Sequence, residues 1–157
     1  GVAVDRAFPH TLVVRVTPKR PVAVVRRGHP AWLVTGAGEI IREIEPRSHG
    51  SLPRLWAARD ATVEVGGRLP GELTIVTRAL AAAQRVKLPH RVLGVRSTEG
   101  QLTLLLLGGP ELRLGVPKHV LLKVTVAARI LPLLGADTVY VDVSVPERPV
   151  SSLHLNP

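Results

Sequence analysis

The turn at Gly36-Ala37-Gly38 begins like the phosphate-binding loop of a dinucleotide site, because it directly follows a predicted strand. The third glycine of that fingerprint is missing, since position 41 is Ile, and Pro46 comes too soon for the helix that must follow. We therefore interpret these glycines as a hairpin turn and expect no cofactor.

Side chains that bind metals or attack substrates are scattered along the chain. No two of the six histidines are spaced as ligands on one helical turn, and there is no cysteine. No serine lies in a nucleophile elbow, and no two carboxylates form an obvious catalytic pair. We expect no metal site and no enzyme, although a hydrolase with an unrecognised site stays open as a third possibility.

The composition indicates a globular domain with a basic surface. The 157 residues are 45% hydrophobic but only 3% aromatic, so the core must consist of Val, Leu, Ile and Ala. A net charge of +9 suits nucleic acid, anionic lipid or cell-wall polymer. The charges are spread along the chain and lack interleaved aromatic residues. This pattern favours charged side chains that are simply solvated at the surface, and we expect that the chain does not bind nucleic acid. Trp32 and Trp56 are expected in the core or at its rim.

Methionine is absent from the sequence, even at position 1. We therefore expect a fragment or a processed piece of a longer chain. The longest apolar stretches, 102–109 and 120–134, are too short or too charged to cross a bilayer, so any membrane anchor would lie outside this segment.

Hydrophobic periodicity predicts strands, helix, strands, helix and a last strand. One helix is expected from about Pro70, and another from about Pro117 that ends or bends at Pro132. This order predicts an α+β fold, with a mainly antiparallel sheet covered by two helices. The predicted strands are 2–6, 11–17, 22–26, 32–35, 40–44, 90–97, 101–107, 111–114 and 138–145, and 52–56 is a compact apolar element.

The last predicted strand, 138–145, is the most concrete candidate for a binding surface. Its valines alternate with Tyr140, Asp142 and Ser144, which gives one buried and one wetter face. Little chain follows it, so we expect a terminal edge strand that accepts a strand from another protein. Replacing Val143 with Pro should then remove one ladder donor and abolish binding without unfolding the domain.

Several ordered motifs resemble the FtsQ/DivIB family of bacterial cell-division proteins. The resemblance covers nearly the whole chain, and it depends on the order and spacing of motifs that are individually short. The matching stretches are 4–16 with its Phe8-Pro9, 20–24, Trp32–Gly38, Leu52-Pro53-Arg54-Leu55, 101–104, 112–115, and Tyr140-Val141-Asp142-Val143 continuing to Val150.

The resemblance implies a non-catalytic scaffold of the division machinery. Residues 1–18 would be the end of a POTRA domain, 19–150 a β domain and 151–157 a flexible tail. An upstream helix would anchor the protein in the cell membrane, with this part outside the cytoplasm. The implied partners are membrane proteins of the FtsB/DivIC and FtsL type.

The resemblance also places partner binding on the final strand and the segment after it. Ser144 and Val145 stand where some members have a basic and an aromatic residue, so backbone pairing should dominate recognition. A basic module that binds an anionic polymer is the alternative. The expected partner-binding residues are Val139, Tyr140, Val141, Asp142, Val143, Ser144, Val145, Pro146, Glu147 and Arg148.

Overall fold

The computed structural model describes the backbone of residues 2–7 and 11–154, with side chains of the first hairpin described at positions 2, 14 and 16. The helices are α1 (Gly71–Val86) and α2 (Val120–Ile130), and a 3₁₀ turn (Leu131–Leu133) follows α2. The strands are β1 (Val2–Ala7), β2 (Thr11–Val16), β3 (Pro21–Arg26), β4 (Ala31–Thr35), β5 (Ile40–Ile44), β6 (Arg54–Trp56), β7 (Val92–Thr98), β8 (Gln101–Leu106), β9 (Glu111–Gly115), β10 (Tyr140–Asp142) and β11 (Val150–Ser152).

The described strands divide among three sheets. β1 and β2 form an antiparallel hairpin that pairs with no other described strand. A four-stranded sheet has the order β5-β4-β3-β6, in which β6 is parallel to β3. A five-stranded sheet has the order β11-β10-β9-β8-β7, in which β10 is parallel to β9. The predicted α+β class is confirmed, but the strands form separate sheets where we expected one.

A single apolar cluster joins the two larger sheets and both helices. It contains Val25 of β3, Leu104 of β8 and Val141 of β10, together with Leu80 of α1 and Val124 of α2. Each of these side chains is nearly inaccessible to water. Removing apolar side chains from water is the main favourable term in folding, so this cluster holds the two sheets and the helices together.

Both predicted helices form. α1 begins directly after Pro70 and buries Val76 and Leu80, as its apolar face predicts. α2 ends where Pro132 removes a backbone donor, and the chain tightens there into the 3₁₀ turn. Leu121, in the first turn of α2, is exposed although it is apolar.

The predicted hairpin turns also form where the structure describes them. Gly38 adopts a positive φ of 78°, and its N–H donates to the Thr35 carbonyl at 3.0 Å between β4 and β5. Glu99 and Gly100 both adopt positive φ between β7 and β8, as a two-residue type I′ turn requires. The segment Phe8-Pro9-His10, between the predicted strands 2–6 and 11–17, lies outside the described residues.

The prediction of a terminal edge strand over 138–145 is wrong. Only Tyr140–Asp142 form β10, which lies inside the five-stranded sheet between β9 and β11. The flexible tail expected from position 151 is also wrong at its start, because Val150–Ser152 form β11 and close the far side of β10. The chain turns back at the Val145 carbonyl, which accepts the Arg148 N–H at 3.0 Å, so the segment after Pro146 covers the edge.

The turn at Gly36 packs closely against Ala81 of α1, so substitutions at these two positions test how tightly the turn and the helix are packed. A methyl group added at position 36 would overlap the methyl of Ala81, so we expect Gly36→Ala to lower the free energy of unfolding by about 1–3 kcal/mol. Ala81→Gly removes the obstructing methyl. Urea unfolding of both single variants and the double variant should therefore show the double variant losing less than the sum of the two. Simple additivity would contradict the close contact.

Candidate functional site

The backbone of the predicted binding strand is already paired on both sides. The Glu111 N–H donates to the Val139 carbonyl at 2.9 Å, and the Val143 N–H donates to the Arg113 carbonyl at 2.9 Å, both toward β9. On the other side, the Val139 N–H donates to the Ser152 carbonyl at 2.8 Å. A partner strand therefore has no open ladder position along 139–143 while β11 stays in place.

The side chains of β10 serve the fold. Tyr140 is buried, and the guanidinium of Arg113 lies 3.9 Å from the centre of its ring, which is a cation–π contact. The Asp142 carboxylate accepts the Ser144 N–H at 2.8 Å and fixes the bend after the strand. Val141 and Val143 lie in the apolar core.

Residues 144–147 of the predicted site lie elsewhere, along a surface cleft of about 450 Å³. Ser144, Val145, Pro146 and Glu147 form one wall, and the start of α2 forms the other. Val145 is 53% exposed and Leu122 across the cleft is 50% exposed. The structure thus brings apolar side chains together beside the end of the sheet, where they can contact a partner.

β11 supplies the open edge that we expected from 138–145. It pairs only with β10 among the described strands. The Ser152 carbonyl faces β10, so the N–H and C=O of the neighbouring Ser151 point to the open side, because these groups alternate along a strand. Val150 and Leu153 beside it are 56% and 54% exposed.

Sequence reasoning missed β11 because its residues carry little strand signal. Val150 is the only strongly strand-forming residue in Val150–Ser152, and Pro149 precedes it. The signal that could have revealed β11 is the turn between Pro146 and Pro149, which returns the chain to β10.

Lys123 lies in α2, which forms one wall of the cleft, and fixes this helix to the end of β9. Its side chain is 3% exposed, and its ammonium group donates to the Leu114 carbonyl at 2.8 Å and to the Val116 carbonyl at 2.9 Å. Burial lowers the pKa of Lys123, and the charge of Asp142 opposes that shift. This lysine therefore ties the end of β9 to α2.

The glycines at 36 and 38 form a hairpin between β4 and β5, so no helix follows them and the geometry of a dinucleotide site is absent there. Among the described residues, no group of three or more His, Cys, Asp or Glu side chains is placed to hold a metal ion. No described helix combines the length and apolarity needed to cross a bilayer.

Comparison with known proteins adds no identification. No protein-family model matches this chain, and no curated protein matches it significantly.

We expect Lys123→Met to lower the free energy of unfolding by about 1–3 kcal/mol, because the buried Leu114 carbonyl and the partly buried Val116 carbonyl lose their donor. The pH dependence separates this loss from a packing defect. The folded pKa lies below the ordinary 10.5, so the unfolded state binds more protons between the two values. The free energy of unfolding should therefore rise with pH across that window in the parent protein.

Urea unfolding at several alkaline pH values measures this rise, and Lys123→Met should remove it. Lys118→Met is the matched control, since that lysine is exposed. An equal rise with pH in Lys123→Met would show that the titration belongs to another group.

Proposed function

We propose that this chain is the extracytoplasmic part of a non-catalytic scaffold of the bacterial division machinery, similar to the FtsQ/DivIB family. On this proposal it binds membrane proteins of the FtsB/DivIC and FtsL type. Residues 1–18 would be the end of a POTRA domain, with an upstream membrane helix. The β domain would start at 19 and run past the expected end at 150, because β11 (Val150–Ser152) belongs to its sheet. The motif order described above supports the family, and the open edge at β11 supports the mode of binding.

The observation that carries the binding mode is the open edge of β11, together with the loop before it, which forms one wall of the cleft beside α2. An added strand gains affinity from main-chain hydrogen bonds, and each contributes a net of only about 0.5–1.5 kcal/mol. Exposed apolar side chains must supply the remainder, and Val150, Leu153 and Val145 lie at this edge and beside it. The partner strand would therefore lie outside β11, with 144–148 at its flank.

Ser151 is the position at which to test this proposal. Its N–H points to the open side, so Ser151→Pro removes one donor and places a ring in the path of the incoming strand. We expect affinity for the extracytoplasmic segment of an FtsB/DivIC-type protein, measured by isothermal titration, to fall by at least about tenfold. Ser151→Ala keeps the N–H and should bind like the parent protein.

Val143, the position suggested by the sequence, cannot serve this test. Its side chain is fully buried and its N–H is bonded to Arg113 inside the sheet, so Val143→Pro would unfold this region. Unchanged binding by Ser151→Pro, with its thermal unfolding unchanged, would remove strand addition at β11 from consideration.

A basic module that binds an anionic polymer is the second candidate function. The net charge of +9 favours it, as does the scarcity of neutralising contacts: two ion pairs, Lys19–Glu39 and Arg96–Glu111, occur among the described residues. Binding to heparin or to single-stranded DNA should then weaken linearly on a log–log plot against salt concentration. A titration without salt-dependent binding would exclude this function.

A further inference from the structure

The edges of the two larger sheets approach each other on a side of the molecule that the proposed function does not use. β6 is one edge of the four-stranded sheet, and β7 is the edge of the five-stranded sheet opposite β11. A groove of about 270 Å³ lies between them, lined by residues of both strands and of the loop before β6.

Two large apolar side chains stand exposed in this groove. Trp56, the last residue of β6, is 65% exposed, and Leu93 of β7 is 45% exposed. Leu93 occupies a bulge, because β7 and β8 shift register between Val92 and Gly94. Bulges redirect side chains at sheet edges, and here the redirected leucine lies in the same groove as the tryptophan.

The groove carries positive charge without a compensating carboxylate. Arg54 and Arg91 line it, and neither forms an ion pair with any described residue. None of the described residues that line the groove is acidic. The Arg54 guanidinium makes one long hydrogen bond of 3.5 Å, to the Ser48 carbonyl. The carboxylates of a ligand would give both guanidinium groups an ionised partner.

The backbone of β7 offers hydrogen bonds next to the groove. Thr98 and Gln101 close a two-residue hairpin and therefore exchange hydrogen bonds with each other. The pattern alternates, so Val95 and Ser97 direct their N–H and C=O groups away from β8. No described strand pairs with β7 on that side.

We propose that this groove binds an extended, acidic segment of a partner protein. The segment pairs with the open edge of β7 at Val95 and Ser97 and places an apolar side chain between Trp56 and Leu93. Its carboxylates pair with Arg54 and Arg91. This surface is at the opposite edge from β11, so the inference stands independently of the function proposed above.

The test uses a fluorescent peptide of about ten residues, the length of a long strand, in which glutamates alternate with leucine and valine. A peptide with lysines in place of the glutamates is the charge control. Fluorescence anisotropy with the complete chain should show binding of the acidic peptide and none of the basic one. Trp56→Ala and Arg91→Glu should each weaken binding by at least about tenfold, as expected for a central aromatic and a close charge pair.

Two further variants separate this surface from general charge attraction and from β11. Arg129→Glu changes net charge by the same amount as Arg91→Glu, but at an exposed position on α2, and should keep nearly full affinity. Ser97→Pro removes an outward N–H of β7 and should weaken binding, whereas Ser151→Pro should not. Arg91 is exposed, so Arg91→Glu remains decisive even if another variant fails to fold.

Each other outcome would overturn the proposal. These outcomes are no binding of the acidic peptide, equal binding of the lysine peptide, or an equal loss in Arg129→Glu. A single-stranded DNA oligonucleotide should not displace the peptide at matched charge. If it did so, and lost its own binding in Trp56→Ala and Arg91→Glu, the groove would belong to an anionic polymer and not to a protein segment.

Discussion

The parallel pairing of β10 with β9 is the contact on which the C-terminal half of the structure depends. Hydrogen bonds from Glu111 to Val139 and from Val143 to Arg113 bracket a strand of only three residues. Val141 and Val143 then bury their side chains fully in the core. Because this strand is seated, the chain after it can return as β11, and the cleft beside α2 acquires its second wall. Neither candidate surface at that end exists without this pairing.

The position of β10 also explains which part of the fold was predictable from sequence. Alternation of apolar and polar residues specifies which face of a strand is buried, and it predicted the burial of Val141 and Val143 correctly. It was wrong for Tyr140, which is buried, and for Val145, which is exposed, because the strand ends at Asp142. Alternation carries no information about what lies beside a strand, because the hydrogen-bonding groups lie in the plane of the sheet for every residue type. The neighbour of β10 is set by a turn and a weakly patterned segment, so the predicted edge was wrong.

The other predictions from sequence were right where the signal is local in the chain and wrong or absent where it depends on distant residues. Helices α1 and α2 were predictable because proline and apolar spacing are local signals. β6 was seen only as an apolar element, since its three residues, Arg54–Trp56, are too few to show a period and its parallel partner is distant in sequence. Lys123 gave no signal at all, because its role depends on two carbonyls that the fold brings to it.

The two edge strands of the five-stranded sheet, β11 and β7, limit unwanted pairing with foreign strands by different physical means. β11 is very short, which restricts the number of hydrogen bonds that a foreign strand can gain. β7 is longer, but a bulge and an exposed arginine at 96 interrupt its regularity. A strand that binds at either edge must therefore gain affinity from side chains as well as from the backbone. The apolar residues beside β11 and the tryptophan and arginines beside β7 differ in chemistry, so on the two proposals made above the sheet would bind two different partners at opposite edges without competition between them.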